Sequence, residues 1–161
     1  MVRGEFGNSS NLTREDFIDR ARALVPELRE RAAAAEAARA IPLATHRAMS
    51  EAGLYRLFQP KRFGGYEMDI GLMIDVAAEV GRGCGSSAWI FTNLAAQSWI
   101  NGMKDPRAQE ECWGDNREAL ACSAFPGKDA SVRIVDGGVV VNGVWNYSSG
   151  VDFAEWNNLQ L

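Results

Sequence analysis

The sequence predicts an α+β fold in which a helical N-terminal part is followed by the first strands of a β domain. Apolar residues recur at helical spacing in the first two thirds of the chain, and the period then changes to that of strands. Asp136-Gly137 between two apolar runs is a strong hairpin signal. A composition of 47% hydrophobic residues in 161 is enough to bury a core. The expected division is a disordered N-terminus (1–12), a helical domain (13–116) and an incomplete β domain (117–161).

The first helix is expected to begin at Thr13, a favourable N-cap with Asp16 at the capping-box position, and to continue to about Arg39. Pro26 lies inside this pattern, so we expect the helix to be kinked or split in two there. A second helix is expected over residues 42–53, because proline suits the first turn and glycine suits the residue after the last one.

A third helix is expected over residues 69–80 and a fourth from Ser86, as its N-cap, to Met103. The fourth is apolar nearly all round, which predicts burial at the centre of the helical part. The glycine-rich run 81–85 follows a helix and lacks the Gly-Lys-Ser/Thr ending of a phosphate loop, so it predicts a helix break. A short fifth helix is expected over residues 105–114.

Strands are expected in the last third of the chain, where β-type runs alternate with turn residues. The expected strands are 119–125, 131–135, 138–142 and 155–161, with turns at Pro126-Gly127 and Asp136-Gly137. These strands have no visible partners, so we expect exposed strand edges.

Charge and composition exclude several classes of function. A net charge of −4 and a pI of about 5.1 give no surface for nucleic acid or an anionic membrane. Cys84, Cys112 and Cys122 form no C-x-x-C pair, and with one histidine no metal site is expected. No run approaches the roughly 18 apolar residues of a membrane span, and no signal sequence is evident, so a cytoplasmic location is expected. His46 is expected at the surface without a catalytic role, and Glu110-Glu111 as solvated carboxylates.

A stripe of the fourth helix carries Trp89, Asn93 and Gln97. Buried amides need hydrogen-bond partners, so this stripe indicates either a lined cavity or plain core, with about equal support. Ser123, Ser148 and Ser149 have no histidine to activate them, so we expect hydrogen-bonding rather than nucleophilic roles.

The segment 141–156 combines two large rings, Trp145 and Tyr147, with the adjacent hydroxyls of Ser148 and Ser149. These residue types suit a strand edge that faces a flat aromatic ligand. The glycine that follows them allows close approach of the backbone.

Several stretches resemble a known family. Residues 51–67, which read EAGLYRLFQPKRFGGYE, resemble the early signature of the acyl-CoA dehydrogenase superfamily. Three further stretches are more similar to its group D flavin-dependent aromatic monooxygenases, the oxygenase components of two-component hydroxylases. These are CGSSAW at 84–89, SAFPG at 123–127 and GVWNYSSG at 143–150. The resemblance covers roughly residues 20–160.

The resemblance implies an acyl-CoA-dehydrogenase-like N-terminal helical domain, a central β-barrel and a C-terminal helical bundle, usually assembled as a tetramer. It implies that reduced flavin, FMNH2 or FADH2, arrives from a separate flavin reductase. With O2 the flavin would form a C4a-hydroperoxide that hydroxylates a small aromatic substrate. The helical bundle and the rest of the barrel are absent from this sequence. We therefore expect an N-terminal fragment or truncated gene product with little activity alone.

The resemblance also assigns roles to matching residues. Ser148 aligns with a serine near flavin N5, which makes it the expected catalytic residue. Ser123 aligns with a serine that contacts flavin or substrate, and Trp145, Tyr147 and Ser149 would shape the same wall of the cofactor site.

Trp89, Asn93 and Gln97 are the expected substrate-binding residues, with Trp89 at an aromatic-pocket position. Several phenol hydroxylases of the group carry a histidine where this chain has Gln97. Glutamine cannot act as acid or base, so an indole or polyketide-type ring fits at least as well as a phenolate.

Two alternatives remain open on the sequence. One is an acyl-CoA dehydrogenase that removes hydrogens from a thioester with FAD, and the other is a truncated, non-catalytic interaction module. The stretch W-N-Y-S-S-G favours the monooxygenase.

Overall fold

The computed structural model describes residues 12–124 and 127–160. Within them, five α-helices precede four strands, which confirms the α+β prediction. The helices are α1 (Arg14–Ala38), α2 (Leu43–Glu51), α3 (Leu72–Gly83), α4 (Gly85–Gly102) and α5 (Pro106–Trp113). The strands are β1 (Ala121–Ala124), β2 (Lys128–Val135), β3 (Gly138–Val144) and β4 (Trp156–Leu159). Of the expected disordered segment 1–12, all but the last residue lies outside the described residues, as does Pro126 of one expected turn.

Helix α1 begins with the capping box that the sequence predicts. The Thr13 backbone N–H donates to the Asp16 carboxylate at 2.6 Å, and the Asp16 N–H donates to the Thr13 hydroxyl at 3.4 Å. The expected split at Pro26 is wrong, because α1 is one helix of 25 residues. Val25 and Leu28 on either side of the proline are buried in the core, and this packing holds the helix together where one backbone hydrogen bond is missing.

The break between α3 and α4 is a single residue, Cys84, in extended conformation. The expected helix break in the run 81–85 is confirmed at Cys84, whereas the expected cap at Ser86 is wrong, since Cys84 is the N-cap without a side-chain bond. A Cβ added to Gly83 would lie 2.6 Å from the Leu28 Cβ. This glycine therefore lets α3 pack closely on α1 rather than ending the helix.

Helices α1, α3 and α4 enclose the main core, which also takes in Leu54, Leu57 and Tyr55 from the connection after α2. Helix α4 buries Phe91 and Leu94 completely. The expected burial of α4 on all sides is wrong, because Trp89 is 63% exposed and opens one face of the helix to solvent.

The strands form two separate pairs within the described residues. β1 lies parallel to β4, and β2 pairs with β3 as the antiparallel hairpin that Asp136-Gly137 predicts. The expectation that the strands lack partners is therefore wrong, because each described strand pairs with one other strand. The expected exposed edges are present, because the other edge of each described strand is unpaired. In the parallel pair, Cys122 stands opposite Asn157 and Ser123 stands opposite Asn158. This register decides which polar side chains meet α4.

Candidate functional site

The candidate site lies where α4 meets the β1–β4 pair and the irregular segment between β3 and β4. The Trp89 indole N–H donates to the Ser149 hydroxyl at 2.9 Å, which ties the exposed side of α4 to this segment. Asn93 uses one N–H of its side-chain amide within the same helix, where it donates to the Trp89 carbonyl at 2.8 Å. The structure thus joins one expected substrate residue to one expected cofactor residue.

Gln97 makes the second contact between the expected substrate-binding residues and the expected cofactor-binding residues. It is only 6% exposed, and its Nε2 donates to the Ser123 hydroxyl at 3.0 Å. Its Oε1 accepts a hydrogen bond from Asn158 Nδ2 at 2.8 Å. Asn158 Nδ2 also donates to Asn101 Oδ1 at 2.9 Å, and Lys104 Nζ donates to Asn158 Oδ1 at 2.5 Å. Both ends of the buried Gln97 amide therefore have partners, as buried amides require.

Ser148 is bound to the other register pair of the parallel strands. Its hydroxyl lies 3.2 Å from the Cys122 sulfur and 3.3 Å from Asn157 Oδ1, and its single proton can be donated to either acceptor. The Cys122 thiol is fully buried and in turn donates to the Trp156 carbonyl at 3.5 Å. The direction of these bonds leaves the lone pairs of the Ser148 oxygen available to accept a hydrogen bond from a ligand.

Gly150 seats the segment with both serines on α4. Its φ of +90° lies in the left-handed region, and an added Cβ would be 2.6 Å from Leu94 Cδ2. Close approach at this point requires a residue without a side chain. Tyr147 has a φ of 60°, a conformation rare for an aromatic residue, and its side chain is 92% exposed. An unfavourable backbone at an exposed ring is a feature that functional sites often retain.

His46 is not the surface histidine that the sequence led us to expect. Its ring stacks on Phe153, with centroids 4.1 Å apart and planes 5° from parallel, and its Nδ1 lies 3.3 Å from the Tyr55 hydroxyl. Burial lowers the pKa of His46 below its ordinary value, against the opposing charge of Glu155. Burial also raises the pKa of Tyr55. The stack fixes the 3₁₀ turn Val151–Phe153, which directly follows Gly150.

The rings of Trp145 and Tyr147, which were expected in the cofactor site, do not take part in the contact between α4 and the serines. Trp145 covers the base of the hairpin, where an added Cβ on Gly127 or Gly143 would lie 2.8 Å from its ring. Its indole N–H donates to the Gln160 carbonyl at 3.0 Å. Tyr147 points to solvent. The structure therefore brings together Ser123, Ser149, Trp89 and Gln97 in two hydrogen bonds, and leaves Trp145 and Tyr147 outside them.

Four contributing residues were missed in the sequence: Asn101, Lys104, Cys122 and Asn158. Asn101 follows Gln97 by one helical turn, so a third buried amide on the same stripe was detectable. Asn158 was detectable only as a polar residue within a short strand, because its role depends on the parallel register with Ser123.

Two open clefts flank α4, and the first of them shares Trp89 with the candidate site. The first, of about 480 Å³, is between the end of α1 and the start of α4 and includes Trp89 and Ile90. The second, of about 470 Å³, includes Trp99, Met103 and Phe58. In the part of the chain that the structure describes, no group of three or more His, Cys, Asp or Glu side chains could hold a metal ion. No described helix is long and apolar enough to cross a membrane.

Comparison with known proteins gives a consistent result. A family model described as the N-terminal domain of acyl-CoA dehydrogenase matches residues 12–105. The chain is 38% identical over 133 residues to the oxygenase subunit HsaA, a flavin-dependent monooxygenase of Mycobacterium tuberculosis, with 83% of this chain and 34% of that protein covered. It is 31% identical over 140 residues to the oxygenase component of p-hydroxyphenylacetate 3-hydroxylase of Acinetobacter baumannii, with 87% and 33% covered.

Solved structures agree with the sequence comparisons. The crystal structure of HsaA from M. tuberculosis superposes with a TM-score of 0.87 at 34% identity, over 92% of this chain and 40% of that one. XiaF from Streptomyces, solved with FADH2 and glycerol, gives a TM-score of 0.85 at 27% identity, over 91% and 37%. The chain spans about a third of the length of the curated relatives that it matches.

Proposed function

The chain belongs to the acyl-CoA dehydrogenase family through its N-terminal domain, and from this premise we propose that it forms part of the oxygenase component of a two-component flavin monooxygenase. The substrate class is a small aromatic ring, and the reaction is hydroxylation with O2. The printed functions of HsaA and of p-hydroxyphenylacetate 3-hydroxylase support this choice within the family.

The observation that carries the proposal is the direction of the hydrogen bonds around Ser148. Its single proton can be donated to Cys122 or to Asn157, and in either case its oxygen offers lone pairs to a ligand. Reduced flavin carries a proton on N5, whereas oxidised flavin does not. A serine that accepts a hydrogen bond at this position therefore fits the reduced form, which is the form that activates O2 for hydroxylation.

Ser148 accordingly has the role of the catalytic residue in this proposal. By accepting a hydrogen bond from the flavin N5–H, Ser148 would keep the proton on N5 and oppose the premature loss of peroxide. Ser123 and Ser149 complete the polar side of the site in this proposal, and Trp145 and Tyr147, which lie outside the two hydrogen bonds described above, are proposed to contact the flavin.

The aromatic substrate is proposed to lie against the α4 stripe. Trp89 offers a large ring face, and its indole N–H is already occupied by Ser149, so contact with a substrate would be through the ring. Gln97 acts through Ser123, to which its amide is bonded. Asn93 keeps its amide oxygen and one N–H for the substrate, because only one N–H is used within the helix.

The partners follow from this function. We propose a separate flavin reductase as the source of FMNH2 or FADH2, with a cytoplasmic location, and a homo-oligomer as the working assembly. The exposure of Trp89 and Trp156 on the surface beside the site supports further packing there, since large aromatic side chains are seldom left in solvent.

The experiment measures how completely oxygen consumption is coupled to hydroxylation. The oxygenase component that contains this chain is supplied with a flavin reductase, FMN or FAD, NADH and p-hydroxyphenylacetate as the probe substrate, and product and H2O2 are quantified against O2 consumed. Ser148→Ala should raise the H2O2 fraction and lower the product fraction roughly tenfold or more, since a charge-assisted or well-placed hydrogen bond contributes about that much. Ser149→Ala is the matched control, with a smaller effect expected. Unchanged coupling in Ser148→Ala would remove this residue from the mechanism.

A further inference from the structure

A lysine at the end of α4 determines the orientation of every amide between it and Ser123. The Lys104 ammonium can only donate hydrogen bonds, and its Nζ lies 2.5 Å from the side-chain amide of Asn158. The oxygen of that amide must therefore face Lys104. Its NH2 group is then left to face Gln97 and Asn101.

The same reasoning fixes Gln97. An NH2 group cannot accept a hydrogen bond, so the atoms that Asn158 Nδ2 approaches at 2.8 and 2.9 Å must be the amide oxygens of Gln97 and Asn101. Gln97 consequently turns its own NH2 group to the Ser123 hydroxyl, 3.0 Å away. Gln97 is 6% and Asn101 1% exposed, so the acceptor ends of these bonds lie away from solvent.

Ser123 is the last member of this chain of hydrogen bonds. Its oxygen accepts from Gln97, so its proton remains to be donated, and among the described residues no acceptor lies within hydrogen-bond distance of it. We infer that Lys104 and Asn158 are positioning residues that present Ser123 to the bound ring as a hydrogen-bond donor. The ligand that this arrangement takes is an aromatic ring with an acceptor oxygen, a phenolate or a ring carbonyl.

This inference rests on the proposed function and deepens it. On sequence grounds an indole has at least as much support as a phenolate, because Gln97 is neutral. An indole offers only an N–H donor, which cannot use the Ser123 proton. A phenolate oxygen can, and the positive charge of Lys104 strengthens each bond of the chain toward it, because hydrogen bonds in series polarise one another.

The test compares two small probes, 4-nitrophenol and indole, and includes FMN as the other ring with acceptor oxygens. The nitrophenolate absorbance gives both the dissociation constant and the pKa of the bound phenol. In the unmodified protein the bound nitrophenol should ionise at lower pH than free nitrophenol. Ser123→Ala should weaken nitrophenolate binding roughly tenfold or more, as expected for a hydrogen bond to a charged acceptor.

Variants at Lys104 distinguish a role in orienting the amides from a role in stabilising the fold alone. Lys104→Met should raise the pKa of bound nitrophenol and weaken its binding, and Lys104→Arg should restore both, because arginine also only donates. Lys61→Met is the matched control, since it removes an exposed charge outside this chain of bonds and should leave both quantities unchanged.

Asn158→Asp reverses the polarity. A carboxylate can only accept hydrogen bonds, so Gln97 would turn its NH2 group to the introduced carboxylate and its oxygen to Ser123. Ser123 would then donate its proton to Gln97 and accept a hydrogen bond from the ligand. Indole should bind more tightly to this variant than to the unmodified protein. Because indole is uncharged, this gain is not an effect of the added charge.

The outcomes separate the two sources of the acceptor oxygen. If Ser123→Ala and Lys104→Met weaken the binding of nitrophenolate, the acceptor oxygen belongs to the substrate. If they weaken the binding of FMN instead, it belongs to the flavin ring. Either result supports the role of Ser123 as a hydrogen-bond donor. If Lys104→Met behaves as Lys61→Met does, if Asn158→Asp gains no affinity for indole, or if neither probe binds, the inference is overturned. The proposed function is tested apart from it, by the coupling of O2 consumption to product.

Discussion

Replacing Gly150 by alanine tests whether the serine-bearing segment is seated on α4 as described. A left-handed φ of +90° costs an alanine about 1–2 kcal/mol. The new Cβ would also lie 2.6 Å from Leu94 Cδ2, and overpacking of this kind costs about 1–3 kcal/mol. The free energy of unfolding should therefore fall by about 2–5 kcal/mol in total.

Gly64→Ala is the matched control for the backbone term alone. Gly64 has a φ of +86°, but its added Cβ would meet nothing closer than Arg117 Cδ at 3.8 Å, an ordinary contact. Its expected cost is about 1–2 kcal/mol. Urea unfolding followed by tryptophan fluorescence gives both values, and in a Leu94→Ala background the Gly150→Ala cost should fall to that of the control. Equal costs for the two alanines in the unmodified background would refute the packing argument.

Three further changes have distinct readouts. The pKa of His46 is lowered in the folded protein, so below the ordinary histidine pKa of 6.5 the unfolded chain binds more protons than the folded one. The free energy of unfolding should therefore fall as the pH drops below that value. His46→Phe should abolish this loss in thermal melts between about pH 8 and about pH 5. An unchanged pH profile would exclude His46 as its source. Thr13→Ala should lower the free energy of unfolding by about 1 kcal/mol in urea titrations, through loss of the capping box. Ser149→Ala should shift the Trp89 indole N–H resonance in NMR spectra, and a resonance that stays in place would contradict the bond between them.

The order of elements was predictable because it depends on local patterns. The Thr13 cap, the start of α5 at Asp105-Pro106 and the hairpin turn at Asp136-Gly137 are each set by residues close in sequence. The errors arose where distant residues decide. Gly83 is the last residue of α3, where its missing side chain leaves room for Leu28, and α1 continues through Pro26, where the flanking side chains are buried.

The candidate site divides in the same way. The resemblance identified Ser123, Gln97 and Trp89, but no local signal gave the partners that orient them. Asn158 reaches Gln97 because β4 pairs with β1 in parallel, and His46 is half-buried with the ring of Phe153 stacked on it. Long-range pairing therefore sets the hydrogen-bond directions from which the chemistry is inferred.

Incorporation of oxygen from labelled O2 tests the central claim most directly. The oxygenase component of which this chain is proposed to form part is supplied with a flavin reductase, NADH, flavin and p-hydroxyphenylacetate under ¹⁸O2, and the product is analysed by mass spectrometry. We predict a hydroxylated ring that carries one oxygen atom from O2, as a monooxygenase requires. Consumption of O2 entirely to H2O2 with no labelled product, together with reduction of bound FAD by an acyl-CoA, would contradict the account and identify a dehydrogenase instead.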